Sequence, residues 1–459
     1  MLKTNNYKKF LFYRSEFPYF LFEDFEYHLS SGQLSAKFHF NLADQYSFHP
    51  IISIPVNDKI KNRMISSGDL ENLLFHIGMV ELISYWKAAC PSKVIIKPQY
   101  LTDEQVQWWK KLYFHGLGEF FYLNSINVTM DDFMQIECTG TRHSDPMHLP
   151  LNDSMIIPVG GGKDSAVTLE LLDFLEENIA LMINPVKAAL DVATVKGYAK
   201  DQIIGIHRTI DPALLDLNNK GFLNGHTPFS ALVAFVSLLA AALTGRRFIA
   251  LSNESSANEP TIEGTTINHQ YSKSVEFETD FRDYVRKWIT PEIQYFSFLR
   301  PLSELQIARL FSGFPHFFDV FRSCNAGSKT NTWCGKCSKC LFTMIILSPF
   351  IEEEKLINIF GKDLLNDQNL LGIFNELTGR SAIKPFECIG TVDEVNAALA
   401  GTISQNPGSN LRYLLHDYMG TPEYLKNKPV HFKELLTSWD KNNFLPDRFQ
   451  SVLKSSPDD

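Results

Sequence analysis

The chain has 459 residues, 44% apolar and 21% charged, with a formal charge of −9. That length can bury the cores of two or three domains, the composition excludes a disordered chain, and the acidic balance argues against a nucleic-acid partner. The longest apolar stretch, residues 231–243, is too short to span a bilayer, and the basic start is broken by Arg14 and Glu16 before a signal-like apolar run develops, so no membrane association and a cytoplasmic location are expected.

Residues 1–150 read as a mixed α+β domain that serves as a candidate substrate-binding unit. Residues 36–42 (AKFHFNL) alternate polar and apolar, with Phe38, Phe40 and Leu42 on one face, as a half-buried strand does. Residues 70–89 read as a helix with Pro91 just beyond as a stop signal. His115-Gly116-Leu117-Gly118-Glu119-Phe120 sets a His and a Glu among small and aromatic residues, a candidate substrate-contacting loop.

From residue 151 the pattern changes. A short apolar run at 155–159 meets a glycine cluster, and the chain continues as a helix-like segment over 164–177. Strands are expected at 179–183, 202–207 and 248–251, with a helix apolar nearly all round at 228–243. This alternation predicts a Rossmann-like parallel-sheet domain over residues 151–323. Residues 324–459 then hold a cysteine cluster and a polar tail with scattered helix patterns.

In Gly160-Gly161-Gly162-Lys163-Asp164-Ser165 the glycines let the backbone turn sharply after a strand, and the following helix directs its N-terminal dipole at an anion held there. Phosphate is the natural occupant. A Walker A loop is excluded because Ile157 stands at its first glycine and Asp164 follows Lys163, and a dinucleotide fingerprint because Ser165 stands at its third. Polar residues after the other strands fall where ligand sites of open α/β sheets lie: Asn184, Asn224 to Thr227, Asn253 and Glu254, and Asn268 to Ser274.

Of seven cysteines, four crowd into residues 324–340: Cys324, then Cys334, Cys337 and Cys340 in C-x2-C-x2-C spacing. Four thiolates so placed can close a tetrahedral site, read here as a structural zinc centre with an iron–sulfur cluster as the rival.

The glycine loop resembles the Ser-Gly-Gly-x-Asp-Ser loop of the PP-loop ATP pyrophosphatases, with Gly160 in place of Ser. The resemblance implies that Gly160, Gly161, Gly162, Lys163 and Ser165 cradle ATP, that Asp164 favours Mg2+, and that ATP is cleaved to AMP and pyrophosphate. A similar cysteine arrangement occurs in 7-cyano-7-deazaguanine synthase, which supports zinc. Together with Arg300 to Glu304 (RPLSE) and Lys384 to Cys388 (KPFEC), these segments over roughly residues 70 to 400 are similar to the UDP-N-acetyl-α-D-muramoyl-L-alanyl-L-glutamate epimerase family. That resemblance implies ATP-dependent inversion of the terminal glutamate of a nucleotide-linked peptide in peptidoglycan synthesis. His226, His269, Lys273, Glu119 and Cys324 are the groups offered for proton exchange, with Asn184, Asn253 and Glu254 beside the nucleotide. A deazaguanine-amidating enzyme and a non-catalytic ATP-sensing module are the alternatives, and the oligomeric state is open.

Overall fold

The alternation at residues 36–42 is realised in β2 (Gln33–Leu42), where every second residue from Leu34 to Leu42 is buried. In this computed structural model, which describes residues 3–30, 32–56, 65–175, 177–262, 264–381, 383–405, 411–426 and 429–454, β2 is the centre of the N-terminal strands. It pairs antiparallel with β1 (Tyr19–Ser30), β3 (Tyr46–Phe48) and β4 (Ile51–Pro55). β1 then takes β5 (Lys93–Ile96) in parallel, and β5 takes β6 (Gln135–Cys138).

The later strands are β7 (Asn152–Pro158), β8 (Ile179–Ile183), β9 (Ile203–Arg208), β10 (Arg246–Leu251) and β11 (Gln294–Ser297). They pair in parallel in the order β11-β10-β7-β8-β9. The chain therefore winds outward from β7 through β8 and β9, then crosses back to lay β10 and β11 on the other side. Antiparallel pairing of β9 with β4, at Ile52–Arg208 and Ser53–His207, joins the two sets into one 11-stranded sheet. The sheet thus has no break at residue 150; pairing satisfies the edge of β9 that would otherwise lie open.

Alternate strand residues feed two cores, which makes three layers. Ile156, Ile249 and Leu181 point to one core with the helices Ser67–Trp86, Phe229–Thr244 and Val275–Trp288. Met155, Ile157, Ala250 and Met182 point to the other, with the helices Lys163–Leu171, Lys187–Val195, Glu304–Ser312 and Ser338–Leu347. The helix expected at 70–89 begins earlier because Ser66 accepts a hydrogen bond from Asp69 N at 3.1 Å as its N-cap. The helix expected at 164–177 closes at Leu171, where Asn178 Nδ2 caps the Leu172 carbonyl at 2.9 Å; Glu176 lies outside the described residues.

The tail, polar in sequence, contributes to the second core through Ala397, Leu399, Tyr418 and Phe449. The helix Val392–Gln405 buries polar residues such as Asn396 and Thr402 along with its apolar ones, so its burial does not show as an apolar periodic pattern. Among the described residues no helix is long and apolar enough to cross a membrane.

Candidate active site

β7 has β8 on one side and β10 on the other, so the strand order reverses there and a crevice opens beyond the carboxyl ends. The cleft holds about 370 Å³ and is lined by Gly160, Gly162, Asp164 and Ser165 after β7, Asn184 after β8 and Asn253 after β10. Gly161 sits at φ +87°, and a Cβ there would lie 2.6 Å from Ala189 N, so the turn requires glycine. Gly160 N donates to Ser165 Oγ at 3.0 Å and Arg322 N to Gly161 O at 2.8 Å, which fixes the loop. Gly162 is the N-cap of the helix Lys163–Leu171 and carries no side chain to cap it, leaving the first-turn amides to an anion.

Not every expected nucleotide contact is free for that task. The Asn184 amide is spent on Arg208, accepting from its N at 2.8 Å and donating to its O at 2.9 Å, and Asn253 Nδ2 donates to Ser297 Oγ at 3.0 Å. Lys163 departs furthest. Its ammonium is buried, pairs with Asp164 and Glu304, and does not line the cleft. Burial opposes its charge, but the two carboxylates outweigh burial and raise its pKa. Asp164, Glu254 and Glu304 place carboxylate oxygens within 4.8 Å of one another, and the Lys163 ammonium offsets the charge of two of them. The cleft's cations are instead Lys273, Arg322 and Lys339. Of these Arg322 and Lys339 are not marked by any motif; their only signal is that they flank the cysteines.

Beside the cleft the structure brings together Glu119, His226, His269 and Lys273. His269 Nδ1 lies 2.5 Å from the buried Glu119 carboxylate, His226 Nδ1 lies 3.7 Å from the same oxygen, and the two imidazole centroids are 4.4 Å apart. The loop carrying His226 is clamped: Lys87 Nζ donates to Gly225 O at 2.5 Å, Asn124 Nδ2 to Asn224 O at 3.2 Å, and a Cβ on Gly225 would meet the Phe120 ring at 3.0 Å. Arg300, fully buried, donates to the carbonyls of both Glu254 and Lys273 and so ties the β10 loop to the lysine segment.

Cys388, from the KPFEC segment, lies near His269 and Lys273, and both act on its thiol. Burial pushes its thiol up, but Lys273 and then His269 and Lys339 outweigh it and bring it down to about 5. Burial likewise lowers His269, yet the neighbouring Cys388 and Glu119 prevail and raise it to about 9. His226 is taken down to about 4 by burial and by the positive His269. The shifts diverge within one cluster, as they do where titratable groups act on one another in a functional site. The sequence offers Cys324 for proton exchange and does not single out Cys388, whose one signal is that it stands outside the C-x2-C-x2-C group.

Cys324 is drawn into the four-cysteine group. Sulfur separations are 3.9 Å for Cys324–Cys337, 3.8 Å for Cys334–Cys340 and 3.5 Å for Cys337–Cys340. A tetrahedron of Zn–S bonds of about 2.3 Å has edges of about 3.8 Å. Gly327 N and Cys334 N donate to Cys324 Sγ at 3.2 and 3.4 Å, the outer hydrogen bonds a thiolate ligand takes. Cys324 and Lys339 both line the cleft, so this segment forms part of its wall.

A ligand crevice at the reversal of a parallel sheet, flanked by a carboxylate–histidine–thiol cluster, is the build of an α/β enzyme. The model of the MurL N-terminal domain matches residues 11–298 and that of the MurL C-terminal domain residues 320–420. The likeness thus begins well before residue 70 and takes in the N-terminal strands. The chain is 34% identical over 393 residues to UDP-N-acetyl-alpha-D-muramoyl-L-alanyl-L-glutamate epimerase of Salinispora tropica, covering 83% of this chain and 84% of that protein. It is 33% identical over 392 residues to the protein of that name from Micromonospora sp., covering 83% and 86%. With the protein of that name from Xanthomonas oryzae pv. oryzae it shares 33% over 326 residues, 69% of this chain and 71% of that one. The chain belongs to the MurL epimerase family, and is thereby an isomerase. No solved structure matches it.

Proposed function

We propose that this protein inverts the terminal L-glutamate of UDP-N-acetylmuramoyl-L-alanyl-L-glutamate to D-glutamate in peptidoglycan synthesis, cleaving ATP to AMP and pyrophosphate as it does so. The observation that carries this reading is Lys273, which lines the cleft and stands close enough to the Glu119–His226–His269 cluster to act on His226, so one side chain would join an ATP site to the proton-exchanging groups. The parallel strands and the glycine loop support a PP-loop, Rossmann-like reading of the domain, and the names of the relatives supply the substrate.

The chemistry explains the use of ATP. An α-hydrogen beside an ionised carboxylate is barely acidic. Adenylation removes the negative charge and leaves an ester-like carbonyl, so loss of the α-proton yields an enolate that nearby cations stabilise. The first-turn amides after Gly162, with Arg322 and Lys339, hold phosphate oxygens in this reading, and Lys273 sits at the junction with the acyl group. Asp164 with Glu254 would hold Mg2+, which neutralises the phosphates when bound. Zn2+ on Cys324, Cys334, Cys337 and Cys340 would be structural, since four thiolates leave no open position. Because ATP and a nucleotide-linked precursor are the substrates, the cytoplasm is the compartment.

Pyrophosphate release tests the reading. Release with ATP and Mg2+ should depend on the UDP-linked L-Ala-L-Glu dipeptide; release without it, or with ammonia and a purine-like acid in its place, would contradict it.

A further inference from the structure

His76 shows how this chain settles a buried histidine: its Nδ1 lies 2.7 Å from the Asn72 carbonyl and its Nε2 3.0 Å from the Tyr284 hydroxyl. The pair beside the cleft is arranged otherwise. His226 and His269 both turn Nδ1 toward one buried oxygen, Glu119 Oε2, at 3.7 and 2.5 Å. That oxygen gives His269 a hydrogen-bond partner, but the His226 side chain makes no hydrogen bond among the described residues. Three ligand atoms from three separate segments thus converge, all within 4.8 Å of one another.

Each segment is fixed from behind. Glu119 lies in the helix Gly118–Leu123, whose Phe120 packs against Gly225 of the His226 loop. Lys87 and Asn124 hold that loop at the carbonyls of Gly225 and Asn224. His269 N donates to Thr261 Oγ1 at 3.0 Å, and Asn268 Nδ2 to Ala257 O at 2.8 Å. Support of this kind keeps the ligands of an ion in place.

We propose that Glu119 Oε2 and the Nδ1 atoms of His226 and His269 hold a divalent transition-metal ion, in a centre separate from the four-thiolate site. Bonds of about 2.1 Å in a tetrahedral shell set ligand atoms about 3.4 Å apart, so the two recorded separations straddle the required one, and side-chain shifts of under about 1 Å close the shell. Imidazole nitrogen selects ions of the Zn2+, Ni2+ and Co2+ kind over Mg2+. Three protein ligands leave a tetrahedral ion one open position, which four thiolates do not. An oxygen ligand suits that position, and the carbonyl oxygen of the acyl-adenylate is one. This role rests on the ATP-dependent reading above: an ion on that oxygen would carry part of the enolate charge. Metal and proton compete for the same Nδ1 atoms, so occupancy rises with pH, and without the ion those atoms take up protons.

The test uses the full chain, dialysed against a chelator that strips the three-ligand site and leaves zinc on the four thiolates. Co2+ is then titrated in at mildly alkaline pH. Wild type should bind about one Co2+, with the visible d–d bands of a nitrogen–oxygen shell and no sulfur charge-transfer band. His226→Ala and Glu119→Gln should lose those bands while keeping their zinc, which reports that they are folded. Wild type without the bands, or bands that survive in both variants, would overturn the site. In the dialysed enzyme with excess Mg2+, D-glutamate formation should be lower on the order of 10-fold or more and recover as Co2+ fills the site. Full turnover without the ion would overturn its role at the acyl group. No ATP enters the titration, so an absence of pyrophosphate release would sink the adenylation reading and leave the site standing.

Discussion

Asp164 and Lys163 are neighbours in the first turn of one helix and face different ways. Asp164 lines the cleft, whereas Lys163 faces inward and holds Asp164 and Glu304. Asp164→Asn should cut substrate-dependent pyrophosphate release on the order of 10²-fold or more with an unchanged circular dichroism spectrum; full turnover would remove Asp164 from the cation's shell. Lys163→Met should act on stability first. It strands the buried Glu304 without its partner, a loss of about 3–5 kcal/mol in urea unfolding. A variant as stable as wild type but unable to bind ATP would return Lys163 to the phosphates. The sequence marks the loop because glycines after a strand have one strong physical meaning, but it cannot say which way a lysine side chain turns. That depends on Glu304, some 140 residues later, and on the buried charge there.

At the scale of elements, the cysteine segment and the buried helix Phe229–Thr244 were both legible, for different reasons. The thiol spacing is a local pattern with a single geometry behind it, and the helix carries an apolar surface that only a core position satisfies. What stayed hidden is where they sit: the segment after the sheet supplies Arg322 and Lys339 to the cleft, a long-range consequence of folding that no spacing encodes. Cys337→Ser should therefore do two things at once, lowering bound zinc toward zero and weakening ATP binding as the wall loosens, read by metal analysis and by titration with nucleotide. Full zinc content in the variant would refute the four-thiolate assignment.

For the whole molecule, one sheet carries the N-terminal strands and the parallel strands, so residues from the N-terminal part such as Glu119 are held in register with the glycine loop rather than across a hinge. The parallel strands of that sheet could be read from alternating strand and helix patterns. The β4–β9 junction could not, because each strand's own pattern is the same whichever neighbour it pairs with. The charge state of the assembled core also sets its response to pH. His76 is buried between the Asn72 carbonyl and the Tyr284 hydroxyl and is lowered by burial to about 4. Its folded pKa lies below the unfolded value, so the unfolded chain binds the proton first, and stability is lost as pH falls below about 6.5. The loss should reach about 2 kcal/mol by pH 5 in urea titrations, with His226 adding to it. His269 has the opposite sign: raised to about 9, its contribution is present below about 6.5 and fades as pH rises through 9. Stability that rose steadily from pH 7 to pH 5 would contradict the buried, neutral state of His76. The central claim concerns the α-carbon of one glutamate. The protein is incubated with ATP, Mg2+ and UDP-N-acetylmuramoyl-L-alanyl-L-glutamate, the product is hydrolysed, and the glutamate is resolved by chirality. The account predicts D-glutamate that appears only with ATP and in step with AMP; glutamate that stays wholly L while AMP accumulates would contradict it.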